Sequence, residues 1–248
     1  MAFDPSVYTT TKARALPVIL LLDGSGSMAG EKIDTLNAAV NEMITSFKSG
    51  AQNEVAIQIA IITFSGGGAN YAVPLSSVND ITDVTLRANG ATPMGAALRM
   101  AKDLIEDKEI ISSKSYRPAV VLVSDGMPND EWQGAMSGFI KSGRSSKCDR
   151  FAMAIGGDAD RGVLGMFLEG SENQVFEAAD AGKIKDFFRF VTMSVSVRSK
   201  SKNPNQIAEL PQGSALPPAS PSSLSSLDKR LQDDTLKKKL LALELDDI

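Results

Sequence analysis

Apolar residues along this chain fall into two alternating kinds of segment. Short continuous runs rich in Val, Ile and Leu occupy Leu16–Leu22, Val55–Phe64, Pro118–Val123 and Phe151–Ile155. Runs of this kind read as strands buried on both faces, as in a parallel sheet covered by helices. Between them the period lengthens to that of a helix. Ile33, Leu36, Val40, Met43, Ile44 and Phe47 share one helical face, as do Met94, Ala97, Leu98, Ala101, Leu104 and Ile105, and again Ile184, Phe187, Phe188 and Val191. The alternation predicts an α/β domain over about 16–198, doubly wound, with a mostly parallel central sheet and helices on both faces. One connection breaks the pattern. Only Ser65-Gly-Gly-Gly-Ala-Asn70 separates Val55–Phe64 from a second strand-like stretch, Tyr71–Val78. That is too short for a crossover helix, so these two form a hairpin with one antiparallel strand at the sheet edge. The glycine run joins two strands and opens no helix, so it reads as a turn and not as a phosphate cradle.

The flanks differ in character. Residues 1–15 are polar and read as an extended arm. Beyond Arg198 the composition shifts: 199–223 are rich in Ser, Pro, Asn and Lys and end in Pro217-Pro218-Ala-Ser-Pro221, a linker. Leu224, Leu227 and Leu231 then recur at helical spacing, followed by Leu240, Leu241, Leu243 and Leu245, with Ser225 and Asp228 forming a capping box. This predicts a C-terminal amphipathic helix over 224–248. A helix of that length is marginal alone in water. It packs back on its own domain, docks on a partner, or self-associates with a second copy. Lys237-Lys-Lys239 and Asp246-Asp247 read as a solvated face.

Composition narrows the chemistry. The chain has 248 residues, 43% of them hydrophobic, and a net charge of −4. That is enough apolar content for a full core, with no electrostatic reason to expect nucleic acid or an anionic membrane as partner. No apolar run approaches the ~20 residues of a membrane span, and the N-terminus lacks a signal-peptide core; a cytoplasmic location is the expectation. The single cysteine, Cys148, excludes an intramolecular disulfide, suits a reducing cytosol, and precedes a strand, where a packed thiol is expected. There is no histidine. Ser-His-Asp and Cys-His catalysis and Cys/His zinc sites are therefore closed to it.

The remaining chemistry is oxygen chemistry. Asp23-Gly-Ser25-Gly-Ser27 ends the first apolar run and precedes the first helical stretch, so a carboxylate and two hydroxyls recur at alternate positions on a strand-to-helix turn. Ligands of a doubly wound sheet bind beyond the carboxyl ends of its strands. Asn89-Gly-Ala-Thr92-Pro-Met-Gly95, before the second helix, and Val123-Ser-Asp125-Gly-Met-Pro-Asn129, after the apolar strand at 118–123, belong at that same edge. Each piece alone has an ordinary reading: Ser and Asp as helix caps, Thr92-Pro93 as a helix start, Asp125-Gly126 as a turn. Together, Asp23, Ser25, Ser27, Thr92 and Asp125 make a hard-oxygen set that favours Mg²⁺, Mn²⁺ or Ca²⁺ over zinc or copper. Competing motifs fit less well. Gly24, Gly26 and Gly30 are spaced G-x-G-x-x-x-G and not as a dinucleotide fingerprint, Ser25 stands where an aspartyl phosphatase needs its second carboxylate, and a Walker lysine is missing.

The five residues resemble the metal-ion-dependent adhesion site of the von Willebrand factor A family, an Asp-x-Ser-x-Ser turn with a distant Thr and a distant Asp, in matching order and spacing over about 16–198. The resemblance implies that Ser25 and Ser27 bind the metal directly and Thr92 directly or through water. Asp23 and Asp125 then act mainly through water and by orienting the hydroxyls. Neutral hydroxyls next to the cation leave its charge poorly compensated, so a Glu or Asp of a partner protein completes the coordination. Within the family, Ala15-Leu-Pro-Val-Ile-Leu-Leu-Leu-Asp-Gly-Ser-Gly-Ser-Met28, Gly30-Glu-Lys-Ile33 and Phe190-Val-Thr-Met-Ser-Val-Ser196 look like bacterial TerY-type proteins of tellurite-resistance and related stress loci. That likeness implies a non-enzymatic adaptor in a stress-response, signalling or defence complex, with a Ser/Thr kinase and a PP2C-like phosphatase as partners. The alternative from another class is a Mg²⁺-dependent phosphoester or nucleotide hydrolase using the same five residues.

Overall fold

A computed structural model of the chain describes residues 13–50, 55–201 and 205. The arm over 1–12, most of the linker and the helix expected over 224–248 lie outside the described residues. Six strands form one sheet in the order β3-β2-β1-β4-β5-β6. They are β1 (Arg14–Asp23), β2 (Val55–Ser65), β3 (Gly68–Ser77), β4 (Ala119–Ser124), β5 (Asp149–Ile155) and β6 (Phe176–Ala178). All pairs are parallel except β2–β3, so the expected antiparallel edge strand is present. Five helices alternate with them: α1 (Glu31–Gly50), α2 (Met94–Glu106), α3 (Trp132–Lys141), α4 (Arg161–Phe167) and α5 (Ala181–Lys200).

The three helical faces read from the sequence are all buried. Strand alternation splits the core in two. Ile19, Leu21, Val120 and Leu122 face a cluster built with α2, α3 and α4, centred on Leu98, Phe139 and Phe167. Val18, Leu20 and Leu22 point to the opposite face, where α1 and α5 pack together. Such two-sided burial explains why β1 carries no polar residue from Leu16 to Leu22.

The structure adds three elements that the periodicity does not announce. β6 has three residues, α4 has seven, and α3 buries only Met136 and Phe139, so none sustains a readable repeat. Boundaries also move. Arg14 and Ala15, assigned to the arm by polarity, pair with Val55 and Ala56. The hairpin loop is tighter than expected, because Ser65 already pairs with Gly68 and only Gly66 and Gly67 turn, Gly66 at φ +56°.

The segment 81–93 has no regular structure, yet it is held in place. Asn37 and Asn41, one turn apart on α1, each clamp it through both amide atoms. Asn37 Oδ1 accepts from Leu86 N at 2.7 Å and its Nδ2 donates to Leu86 O at 3.1 Å, while Asn41 does the same to Val84 at 2.8 Å each way. Further along, Asn89 N donates to Gly24 O at 2.7 Å, Gly26 N to Gly90 O at 2.9 Å and Gly66 N to Asn89 O at 3.0 Å. These bonds tie the segment to the β1–α1 turn and to the hairpin. Gly90 lies at φ +68°, and a Cβ there would sit 2.6 Å from Gly66 Cα. Gly90→Ala is expected to cost about 1–3 kcal/mol of stability, through left-handed strain and a backbone clash. Chemical denaturation reads this directly, and an unchanged midpoint would show that the contact does not constrain the loop.

Candidate functional site

The sheet order reverses direction between β1 and β4, and both strands end at the same edge. Their register runs to Leu22↔Val123, so Asp23 and Ser124 are the next neighbours across the pair. Ser124 Oγ donates to Asp23 Oδ2 at 2.5 Å, and Ser25 N donates to Asp23 Oδ1 at 2.8 Å. The Asp23 carboxylate is fully buried and both of its oxygens are engaged. Burial raises its pKa above the usual carboxylate range, against the lowering effect of its bonds with Ser124 and Ser25, and nearby Asp125 adds a smaller rise.

From Ser25 a second line of bonds runs to Asp125. Ser25 Oγ lies 3.0 Å from Ser27 Oγ, and Ser27 Oγ donates to Asp125 Oδ1 at 2.7 Å. A hydroxyl carries one proton, so Ser25 must be the donor to Ser27. The proton order Ser25→Ser27→Asp125 points toward the carboxylate and leaves oxygen lone pairs on both hydroxyls. The other oxygen of Asp125 accepts from Lys32 Nζ at 2.5 Å.

Thr92 joins from the 81–93 segment. The position of a Cβ on Gly126 would be 4.0 Å from both Thr92 Oγ1 and Ser27 Oγ, so the 81–93 segment and the turns after β1 and β4 converge around Gly126. Asn129 fixes the Thr92 backbone from both sides: its Oδ1 accepts from Thr92 N at 3.2 Å and its N donates to Thr92 O at 3.2 Å. Asp130 then caps α2, accepting from Gly95 N at 2.9 Å and Ala96 N at 2.8 Å.

The structure thus brings all five candidate residues together, and the capping reading of the Asp23 turn does not hold. Ser25 precedes a single 3₁₀ turn, Gly26–Met28, and makes no side-chain cap. Pro93 sits at the N-cap of α2 and not inside its first turn. Asp23, Ser25, Thr92 and Asp125 are buried, whereas Ser27 is exposed. Met127, two residues after Asp125, is 68% exposed. Among the described residues no three Asp, Glu, His or Cys side chains are grouped so as to hold a metal ion, so the site is not a carboxylate cage. Lys32, Ser124, Asn129 and Asp130 were not singled out in the sequence. Ser124 and Asn129 lie in the segment 123–129 and Lys32 in Gly30-Glu-Lys-Ile33, but no spacing rule marks them. Cys148 is buried away from this edge, with its thiol pushed up to about 12 chiefly by burial, as expected of a packed residue.

Comparison with known proteins places this geometry. The family model described as von Willebrand factor type A domain matches residues 18–190. A search of curated proteins finds no match. Among solved structures, the proximal thread matrix protein 1 of the mussel byssus, determined with a zinc-occupied MIDAS motif, superposes with a TM-score of 0.56 at 18% identity, over 73% of this chain and 48% of that one. The pilus adhesin SpaC of Lactobacillus rhamnosus GG gives 0.62 at 14% identity, over 75% and 31%. A von Willebrand factor type A protein from Catenulispora acidiphila gives 0.57 at 19%, over 73% and 42%. The chain therefore spans about a third to a half of the length of these proteins, and the likeness concerns the fold. The sheet order, the turn at its switch point and a family match over most of the chain agree, and this chain belongs to the von Willebrand factor type A domain family.

Proposed function

We propose that this A domain is a metal-dependent protein-binding module whose site is formed by Asp23, Ser25, Ser27, Thr92 and Asp125 and whose partner supplies a Glu or Asp side chain. One observation carries the reading: hydroxyls and carboxylates of the β1–α1 turn, the 81–93 segment and the β4–α3 turn gather around Gly126, and of the five residues only Ser27 is exposed. The donor set fits a hard divalent cation, Mg²⁺ first, because every donor is oxygen and three of the five are neutral. When bound, such a cation supplies a Lewis-acidic centre that accepts a carboxylate oxygen.

The chain's own residues do the rest. Asp125 takes the Ser27 proton in a hydrogen bond and so aims the Ser27 lone pairs outward. Asp23 holds the Ser25 backbone and is itself held by Ser124. Burial disfavours an ionised Asp23, and a nearby positive charge would favour it. This is a binding mechanism without turnover. The matches to an adhesin and a matrix protein are in keeping with it. The resemblance to TerY-type proteins extends the proposal to a cytoplasmic adaptor in a bacterial stress-response complex, with a Ser/Thr kinase and a PP2C-like phosphatase as partners.

Three outcomes test this. Saturating Mg²⁺ is expected to raise the melting temperature by about 5 °C, and Ser25→Ala or Thr92→Ala to remove most of that rise; no metal-dependent shift in the parent protein sinks the reading. Co-purification with the kinase or phosphatase is expected to be lost in EDTA or in Asp23→Ala, and retention in both excludes a metal-bridged contact. Finally, a raised Asp23 pKa means that the folded state holds a proton that the unfolded state has released. Metal-free stability should fall as pH rises from the ordinary carboxylate range through the raised pKa. Asp23→Asn should lack this component, melting above the parent in EDTA at neutral pH while losing the Mg²⁺ response. A lower melting point for Asp23→Asn in EDTA contradicts the burial argument.

A further inference from the structure

The group that faces Asp125 from α1 has no role in the five-residue set. Lys32 occupies the first turn of α1, where the helix dipole disfavours a cation and where its neighbours Glu31 and Asp34 are the favoured acidic type. Its side chain reaches across the sheet edge to Asp125 Oδ2 at 2.5 Å. On the way Cε and Nζ pass 3.8 Å from the position of a Cβ on Gly156, at the end of β5. The partner carboxylate is completely buried, while Lys32 keeps 35% of its side chain in solvent. A lysine placed against its helix preference and paired with the same carboxylate that orients Ser27 is positioned to act on whatever binds there.

We infer that Lys32 is the counter-charge that couples cation binding to an acidic ligand: it weakens the site for a bare metal ion and strengthens the loaded site for a carboxylate. This rests on the metal-site reading above. The argument is one of charge balance. Asp23 and Asp125, both ionised, would neutralise a divalent cation completely, leaving little attraction for a further anion. Lys32 cancels one of those charges. The pair of carboxylates then holds the cation less tightly, and the loaded site keeps one net positive charge that only an incoming anion removes. The distances involved are a few ångströms in a partly buried setting, where Coulomb terms are large and salt screening is weak. Two ligands that each bind better in the presence of the other are linked reciprocally, so the effect is visible from the metal side alone. The ion pair also keeps the buried Asp125 carboxylate from being an uncompensated charge.

Calorimetric titration of Mg²⁺ into the full chain, with and without N-acetylglutamate amide as carboxylate probe, tests the inference. Lys32→Met is expected to bind Mg²⁺ alone about tenfold more tightly than the parent, and to lose most of the enhancement that the carboxylate probe gives the parent. Lys32→Arg, which keeps the charge, is expected to behave like the parent. Equal or weaker Mg²⁺ binding by a Lys32→Met chain with parental circular dichroism overturns the inference, as does an undiminished probe effect. If neither the parent nor Lys32→Met binds Mg²⁺, the metal-site reading itself fails, which is a distinct result. Lys32→Gln serves as a second neutral variant if Lys32→Met does not fold.

Discussion

A carboxylate buried at the end of the central strand is the constraint around which this edge of the molecule is arranged. Asp23 follows an uninterrupted apolar strand and has no solvent exposure. A group in that position must have each oxygen satisfied or lose its charge. The Ser25 amide and the Ser124 hydroxyl meet this need, and each does so because of where its own strand ends. Meeting it bends the chain into the turn that lines up Ser25 and Ser27. A second buried acid nearby, Asp125, would worsen the electrostatics if left alone, and Ser27 and Lys32 both bind it. The arrangement is therefore a way of burying two acids side by side, each with its oxygens in hydrogen bonds or an ion pair.

Topology supplies the rest. Because the sheet order reverses between β1 and β4, the turns after these two strands open onto one crevice. The third contributor, Thr92, arrives on a segment with no regular structure, which local forces alone would not hold. Two asparagines on α1 and a set of backbone bonds to Gly24, Gly26 and Gly66 hold it as firmly as a strand would be held. The rigidity of the site thus depends on α1 twice: as the carrier of Lys32 and as the clamp for the Thr92 segment.

Much of this was legible in residue order. Buried parallel strands are apolar on both faces and helices repeat every 3.6 residues, so β1, β2, β4, β5, α1, α2 and α5 are visible as changes of period. The antiparallel edge strand followed from a connection too short to cross the sheet. Elements without a period of their own, β6, α3 and α4, were not legible. They are short and are stabilised by what they pack against: α4 by Val163, Leu164 and Phe167 entering the core shared with α2 and α3.

Sequence by itself determined the class of fold, the sheet edge to which Asp23 and Asp125 belong and the exclusion of histidine chemistry, since these follow from residue type, period and position relative to strand ends. Tertiary structure alone decided which groups satisfy the buried acids. Ser124 was one of many serines and Lys32 one of many lysines until the register of β1 against β4 and the direction of α1 set each beside its carboxylate. Hydrogen bonds and ion pairs between residues roughly a hundred positions apart carry no local period or propensity. They depend on a few ångströms of three-dimensional placement, and only the folded chain fixes that.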